Sequence, residues 1–386
     1  MKQPALRFTH LYLENWRNFA RVEAGLARRV LLVGPNAAGK SNLLDALRFL
    51  HDLASPGGGF QEAVRRRGGV SRLRCLAARQ HSEIAIAVRI GPDPALPDWE
   101  YALEFSQEDL RKPAIRRERV THRGDELLNR PDEADLADPE RLSQTCLEQA
   151  SVNREFREVA GFFASLRYFH AVPQLLRERT PSRPGGPFGG DLLEQIASAP
   201  ENTRNSRLRR ILEALRTAVP QLRDLELWKD PRGAPRLRAR YGHWRPQGAW
   251  QTEDQWSDGT LRLMALLWAV LDGHGPLLIE EPELSLHPEV VRGILPMLAG
   301  IQRRSGRQLI LTTHSADLVE DERIALGDVL LLVPGEEGTS VRPPVAHRDM
   351  RDLLDGALAP SEAGVPTEGP DENQLDLFGG EPQAEP

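Results

Sequence analysis

The stretch Gly34-Pro35-Asn36-Ala37-Ala38-Gly39-Lys40-Ser41 constrains this 386-residue chain more than any other. It has the spacing G-x-x-x-x-G-K-[ST], with the apolar run Val30–Val33 before it and helical apolar spacing over Asn42–Leu50 after it. Strand, turn and helix together suit one chemistry. Glycines let backbone N–H groups turn inward as an anion-binding nest. The helix that follows points its positive end at the same anion. Lys40 then reaches β- and γ-phosphates, Ser41 offers its hydroxyl to Mg²⁺, and Asn42 closes the candidate phosphate-contacting set. The competing reading is a glycine-rich turn that caps an ordinary helix. Only four of the 50 basic residues are lysines, so a lysine at this position is informative.

The rest of the chain is expected to be α/β. Residues 6–13 read as a strand, Glu14–Phe19 as a polar loop and 55–69 as a loop-rich connection. The segments 83–90, 98–105 and 114–122 read as strands of an antiparallel sheet with one covered face. Residues 140–165 read as helix, 166–172 as a strand and 181–190 as a loop or hinge. Helices are expected over 191–218, 260–271 and 288–303, strands around 222–250, and buried strands at 277–279 and 309–312. Alternation of this kind implies a partly parallel sheet. The tail from Glu362 has no Lys or Arg and is expected to be disordered.

Bulk properties exclude several classes. The longest apolar run, Leu263–Leu271, is too short to span a membrane. Two cysteines, Cys75 and Cys146, make neither a disulfide framework nor a metal site, and a reducing cytoplasm is expected. A net charge of −6 gives no global attraction to nucleic acid. Arg65–Arg67 and Arg116, Arg117 and Arg119 could line a DNA-facing surface or a solvated face.

Three further segments end in functional residue types. Leu277–Ile279 runs into Glu280, Glu281, Pro282 and Glu283, carboxylates at a strand's C-terminal end, where α/β sheets bind ligands. Glu280 would hold Mg²⁺ through water, and Glu281 would polarise an attacking water. Leu309–Thr313 ends at His314, which could sense a γ-phosphate or be an ordinary surface histidine. Trp256-Ser257-Asp258-Gly259 precedes a strongly apolar helix. Ser257 or Asp258 could simply cap that helix, or Ser257 and Gly259 could form a second anion site.

The order of these elements resembles the ABC-type ATPases of the RecF/SMC branch, and in particular the small AAA-type ATPases near the OLD family. ENWRNF (14–19) resembles that branch's N-terminal loop, residues 33–47 its Walker A, 256–267 its signature loop, 277–288 its Walker B and D-loop, and 311–315 its switch-histidine loop. The resemblance implies a P-loop ATPase head with an antiparallel β subdomain in lobe I (1–180), a helical signature lobe II (181–275), a C-terminal core part (276–350) and an acidic tail (351–386). It implies ATP and Mg²⁺ as cofactors, with Lys40, Glu281 and His314 catalytic. Ser257 and Gly259 of one subunit would close on ATP held by Lys40 of another, in a head-to-tail homodimer. The Q-loop glutamine, a metal contact, would be Gln174 or Gln80. Glu280 stands where the family often has Asp. A Toprim nuclease domain after His314 is not expected, so nuclease or toxin activity would belong to a separate effector.

In the tail, Gln374, Leu375, Asp376, Leu377 and Phe378 look like the pentapeptide by which bacterial proteins bind the replication sliding clamp. Gln374, Leu375, Leu377 and Phe378 are the candidate contacts, with docking on the chain's own body as the alternative. The expected roles are a DNA-associated ATPase switch in repair or anti-phage defence, or a sensor that holds a toxin-like partner inactive.

Overall fold

A computed structural model describes residues 6–77, 82–92, 97–108, 112–178, 190–242, 249–321 and 324–356. The strands run in chain order as β1 (Arg7–Trp16), β2 (Phe19–Gly25), β3 (Arg29–Val33), β4 (Ile84–Gly91), β5 (Trp99–Ser106), β6 (Ala114–His122), β7 (Asp125–Arg130) and β8 (Arg167–Phe169). They continue as β9 (Leu222–Lys229), β10 (Pro235–Tyr241), β11 (Ala249–Thr252), β12 (Leu277–Glu280), β13 (Leu309–Thr313), β14 (Val329–Val333) and β15 (Ser340–Arg342). The helices that matter below are α1 (Lys40–Ala54), α2 (Phe60–Arg66), α3 (Glu201–Ala218), α4 (Asp258–Leu271) and α5 (Pro288–Ser305).

The central sheet has the order β15-β14-β3-β13-β12-β8 and is parallel except for β15. Its strands are short apolar runs because both faces are covered. Alternate residues of β3 serve two cores: Val30 and Leu32 face one, Leu31 and Val33 the other. The first core is shared with α1 and with an antiparallel sheet of order β2-β1-β4-β5-β6-β7. On α1 the buried set Leu43, Leu44, Leu47 and Leu50 follows the i, i+3/i+4, i+7 spacing of one helix face. The second core packs α3, α4 and α5 with the small sheet β11-β10-β9. Helix α4 is buried on almost every side, from Leu261 to Val270, as its unbroken apolar sequence demands.

Several expectations need correction. The segment Glu14–Phe19 is no extended polar loop: β1 runs to Trp16 and pairs it with Phe19, which leaves a two-residue hairpin turn. Residues 55–69 contain helix α2, punctuated by the positive-φ glycines Gly57 and Gly59 before it and Gly68 and Gly69 after it. The helix expected over 140–165 exists only as Arg157–Ala164, with 3₁₀ turns at Pro139–Ser143 and Asn153–Phe156. Pro139 and a run of polar residues break the apolar period there. The strand at 166–172 shrinks to three residues, and β7 had too little alternation to be anticipated. Most of the expected hinge at 181–190, the tail with Gln374–Phe378, and Gln80 lie outside the described residues.

Candidate functional site at the parallel strand ends

The loop between β3 and α1 is wrapped tightly enough to need two unusual backbones. Ala37 and Gly39 have φ of 62° and 91°. A Cβ on Gly39 would lie 2.1 Å from the Asn18 amide, so only glycine fits between the loop and the β1–β2 turn. Asn18 donates to the Ala38 carbonyl at 3.1 Å and to Thr339 at 2.8 Å, and it accepts from Asn42 at 2.8 Å. Trp16 donates its indole N–H to the Asn42 carbonyl. The Asn42 side chain thus braces the loop from behind.

Lys40 is 6% exposed, and its Nζ donates to the Gly34 and Pro35 carbonyls at 2.8 Å each. The ammonium is therefore held inside the loop, across Gly34 and Pro35. Burial draws its pKa below the usual lysine value, while Glu281, Glu283 and Glu280 oppose that shift.

The carboxylates come from β12 and the turn after it. Glu280 accepts from the Ser41 hydroxyl on one oxygen and from the Tyr168 hydroxyl on the other. Glu281 sits at φ 43°, a backbone region costly for a residue with a side chain. Its amide donates to Thr312 Oγ1 at 3.1 Å, and its Oε1 is 2.9 Å from His314 Nδ1. Glu283 is buried and accepts from Thr313 Oγ1 at 2.6 Å and from the His314 amide at 3.3 Å. Burial pushes its carboxyl above the usual carboxylate range, against those hydrogen bonds.

Lys40, Ser41, Glu280, Glu281 and His314 thus meet at the C-terminal ends of β3, β12 and β13, the edge where parallel sheets bind ligands. Among the described residues no group of three or more His, Cys, Asp or Glu could hold a metal ion. The Ser41 hydroxyl and one carboxylate fit Mg²⁺ that takes its other ligands from phosphate and water.

Ser257 and Gly259 sit apart from the phosphate loop. Ser257 caps α4 by accepting from the Thr260 amide. Gly259 packs under the turn after β12, where a Cβ would lie 2.8 Å from the Ser285 carbonyl oxygen. Together with Ser285 and His287 they line a cavity of about 290 Å³. Gln174 is exposed on the short helix Pro173–Glu178. The same helix carries Arg177, which pairs with Asp258 at 2.5 Å and donates to the Trp256 carbonyl at 2.7 Å. That strut, like Tyr168, Thr312 and Thr313, escaped sequence reasoning because no spacing rule announces a contact between distant segments.

The arginine cluster is engaged within the protein. Arg67 is buried between Asp45 at 2.9 Å and Asp52 at 2.8 Å, over the Phe49 ring. Arg65 and Arg66 both hold Glu62 at 2.7 Å, and Arg116 pairs with Glu108. No described helix is long and apolar enough to cross a membrane.

Known proteins agree with this geometry. RecF proteins, called DNA replication and repair proteins, match over short stretches. The one from Roseiflexus castenholzii is 48% identical over 59 residues, 15% of each chain. The one from Clavibacter michiganensis is 32% identical over 117 residues, 26% of this chain and 29% of that relative. The matches thus span less than a third of these relatives' length. Among solved structures, an SMC head bound to the C-terminal winged-helix domain of ScpA superposes with a TM-score of 0.56. It is 13% identical, and the match covers 89% of this chain and 99% of that one. The SMC head with coiled coil and joint from Pyrococcus yayanosii gives 0.51 at 11% identity, over 92% and 100%. These likenesses establish an SMC-head fold. Residues 30–320 match the AAA_21 family, described as "AAA domain, putative AbiEii toxin, Type IV TA system". The chain belongs to the AAA_21 family, shares the fold of SMC heads and is similar to RecF proteins over short stretches.

Proposed function

We propose that the chain binds and hydrolyses ATP with Mg²⁺ as a dimerising switch in the cytoplasm that acts on DNA or gates a separate effector. One observation carries the reading: Lys40, Ser41, Glu280, Glu281 and His314 converge at one sheet edge. The loop Gly34–Asn42 offers inward amides and the positive end of α1 to the phosphates. Lys40 exchanges its loop carbonyls for β- and γ-phosphate oxygens. Glu281 accepts a hydrogen bond from the attacking water, and His314 orients Glu281 and reads the γ-phosphate. Mg²⁺, held by Ser41 and Glu280, would neutralise the charge that develops on the phosphates. Ser257, exposed at the start of α4, and the half-buried Gly259 would meet the nucleotide of a second copy. The divisions 1–180, 181–275, 276–350 and 351–386 are proposed as its working parts, with Gln174 as the Q-loop contact.

The RecF names and the tail residues Gln374, Leu375, Leu377 and Phe378 support a role near replicating DNA, with the sliding clamp as a partner. A second reading is supported by the family description, which mentions a toxin system. In that reading slow turnover holds a toxin or nuclease partner inactive. Phosphate release with and without double-stranded DNA separates the two. Stimulation by DNA supports the switch on DNA, and DNA-indifferent slow turnover supports the sensor. No ATP hydrolysis at all would remove the first reading.

A further inference from the structure

Beyond the residues whose types match phosphate chemistry, the structure brings an edge-strand phenol to the same site. Tyr168 lies on β8, paired in parallel register with Leu278 of β12, so its side chain and that of Glu280 share the sheet face covered by α1. Its hydroxyl donates to Oε2 of Glu280, while the Ser41 hydroxyl meets Oε1. The ring is itself fixed: the Arg48 guanidinium of α1 lies 4.1 Å from its centroid. Two turns of one helix therefore embrace Glu280, Ser41 directly and Arg48 through Tyr168.

Glutamate has one more rotatable bond than aspartate, and an unanchored carboxylate would sample several positions around Ser41. We propose that Tyr168 is a positioning residue for the divalent cation: it pins the second oxygen of Glu280 so that the first stays aimed at the metal position beside Ser41. This rests on the ATP–Mg²⁺ reading above. Aspartate at position 280 would end about 1.5 Å short of the phenol by its missing methylene. The dependence on Tyr168 is therefore specific to the glutamate.

The test is a cycle of four full-length proteins: wild type, Tyr168→Phe, Glu280→Asp and the double variant. Mn²⁺ binding is followed by EPR in the presence of a non-hydrolysable ATP analogue. Binding of a fluorescent ATP analogue without metal is followed in parallel. Tyr168→Phe should weaken Mn²⁺ binding about tenfold, the usual scale for a hydrogen-bond partner behind a metal ligand. Its metal-free nucleotide affinity should stay within twofold of wild type. In the Glu280→Asp background the same change should move Mn²⁺ affinity less than twofold. A merely structural tyrosine would give equal losses in both backgrounds, and that result overturns the proposal, as does unchanged Mn²⁺ affinity in Tyr168→Phe. If wild type binds the analogue but no Mn²⁺, the proposal falls alone. If it binds neither, the ATPase reading falls with it.

Discussion

His314 Nδ1 stands 2.9 Å from Oε1 of Glu281, although the two residues leave different strands. β12 and β13 are adjacent and in parallel register, Glu280 opposite Thr312, so Glu281 and His314 leave the sheet within one residue of each other. The positive φ of Glu281 and the Thr312 hydroxyl on its amide turn the carboxylate toward the histidine. In the proposed ATPase reading this contact would orient Glu281 as the base and link it to His314 as the γ-phosphate sensor.

The histidine's role is therefore separable from binding. His314→Ala should lower the ATP turnover number by roughly 100-fold, the scale of losing a positioned acid–base group, with KM changed less than threefold. Steady-state phosphate release checks this. A rise in KM with unchanged turnover would make His314 a binding residue only.

Arg177 joins the helix that bears Gln174 to the start of α4 through Asp258 and the Trp256 carbonyl. Removing it should disorganise Ser257 and Gly259 while leaving Lys40 and its loop intact. Arg177→Ala is expected to bind nucleotide within twofold of wild type yet lose at least tenfold in ATP-dependent dimerisation. Nucleotide titration and sedimentation measure the two separately.

Glu148 gives a pH signature away from the strand-end site. Its Oε2 accepts from the Phe60 amide at 2.6 Å, at the start of α2. Burial lifts its carboxyl to about 7, against that hydrogen bond. The folded protein therefore holds a proton that the unfolded chain releases in the ordinary carboxylate range. The contribution is full below the unfolded value and is lost as pH rises toward about 7. Glu148→Gln should remove this slope, so its melting temperature relative to wild type should be higher at pH 7 than at pH 5. An identical difference at both pH values would refute it.

The parallel core was legible because Val30–Val33, Leu277–Ile279 and Leu309–Leu311 are short apolar runs followed by chemically distinctive residues. Lys40, Ser41, Glu280, Glu281 and His314 were legible for the same reason. What sequence reasoning missed depends on distant pairing. Tyr168 carries meaning only because β8 lies beside β12, and a three-residue strand leaves too few residues to show a period. Asn18 became visible as a brace only once the β1–β2 turn was seen against Gly39. Arg67 looked like part of a basic surface, yet Asp45 and Asp52 of α1 bury it. Periodicity reports which face is apolar, not which ions meet inside.

In the proposed switch, ATP joins two copies and Glu281 is needed to release them. Light-scattering chromatography of Glu281→Gln with and without ATP, together with phosphate release, tests it most directly. The variant should be a monomer without nucleotide and a stable dimer with ATP, with turnover at least about 100-fold below wild type. A variant that stays monomeric with ATP bound, or that hydrolyses ATP at the wild-type rate, would contradict it.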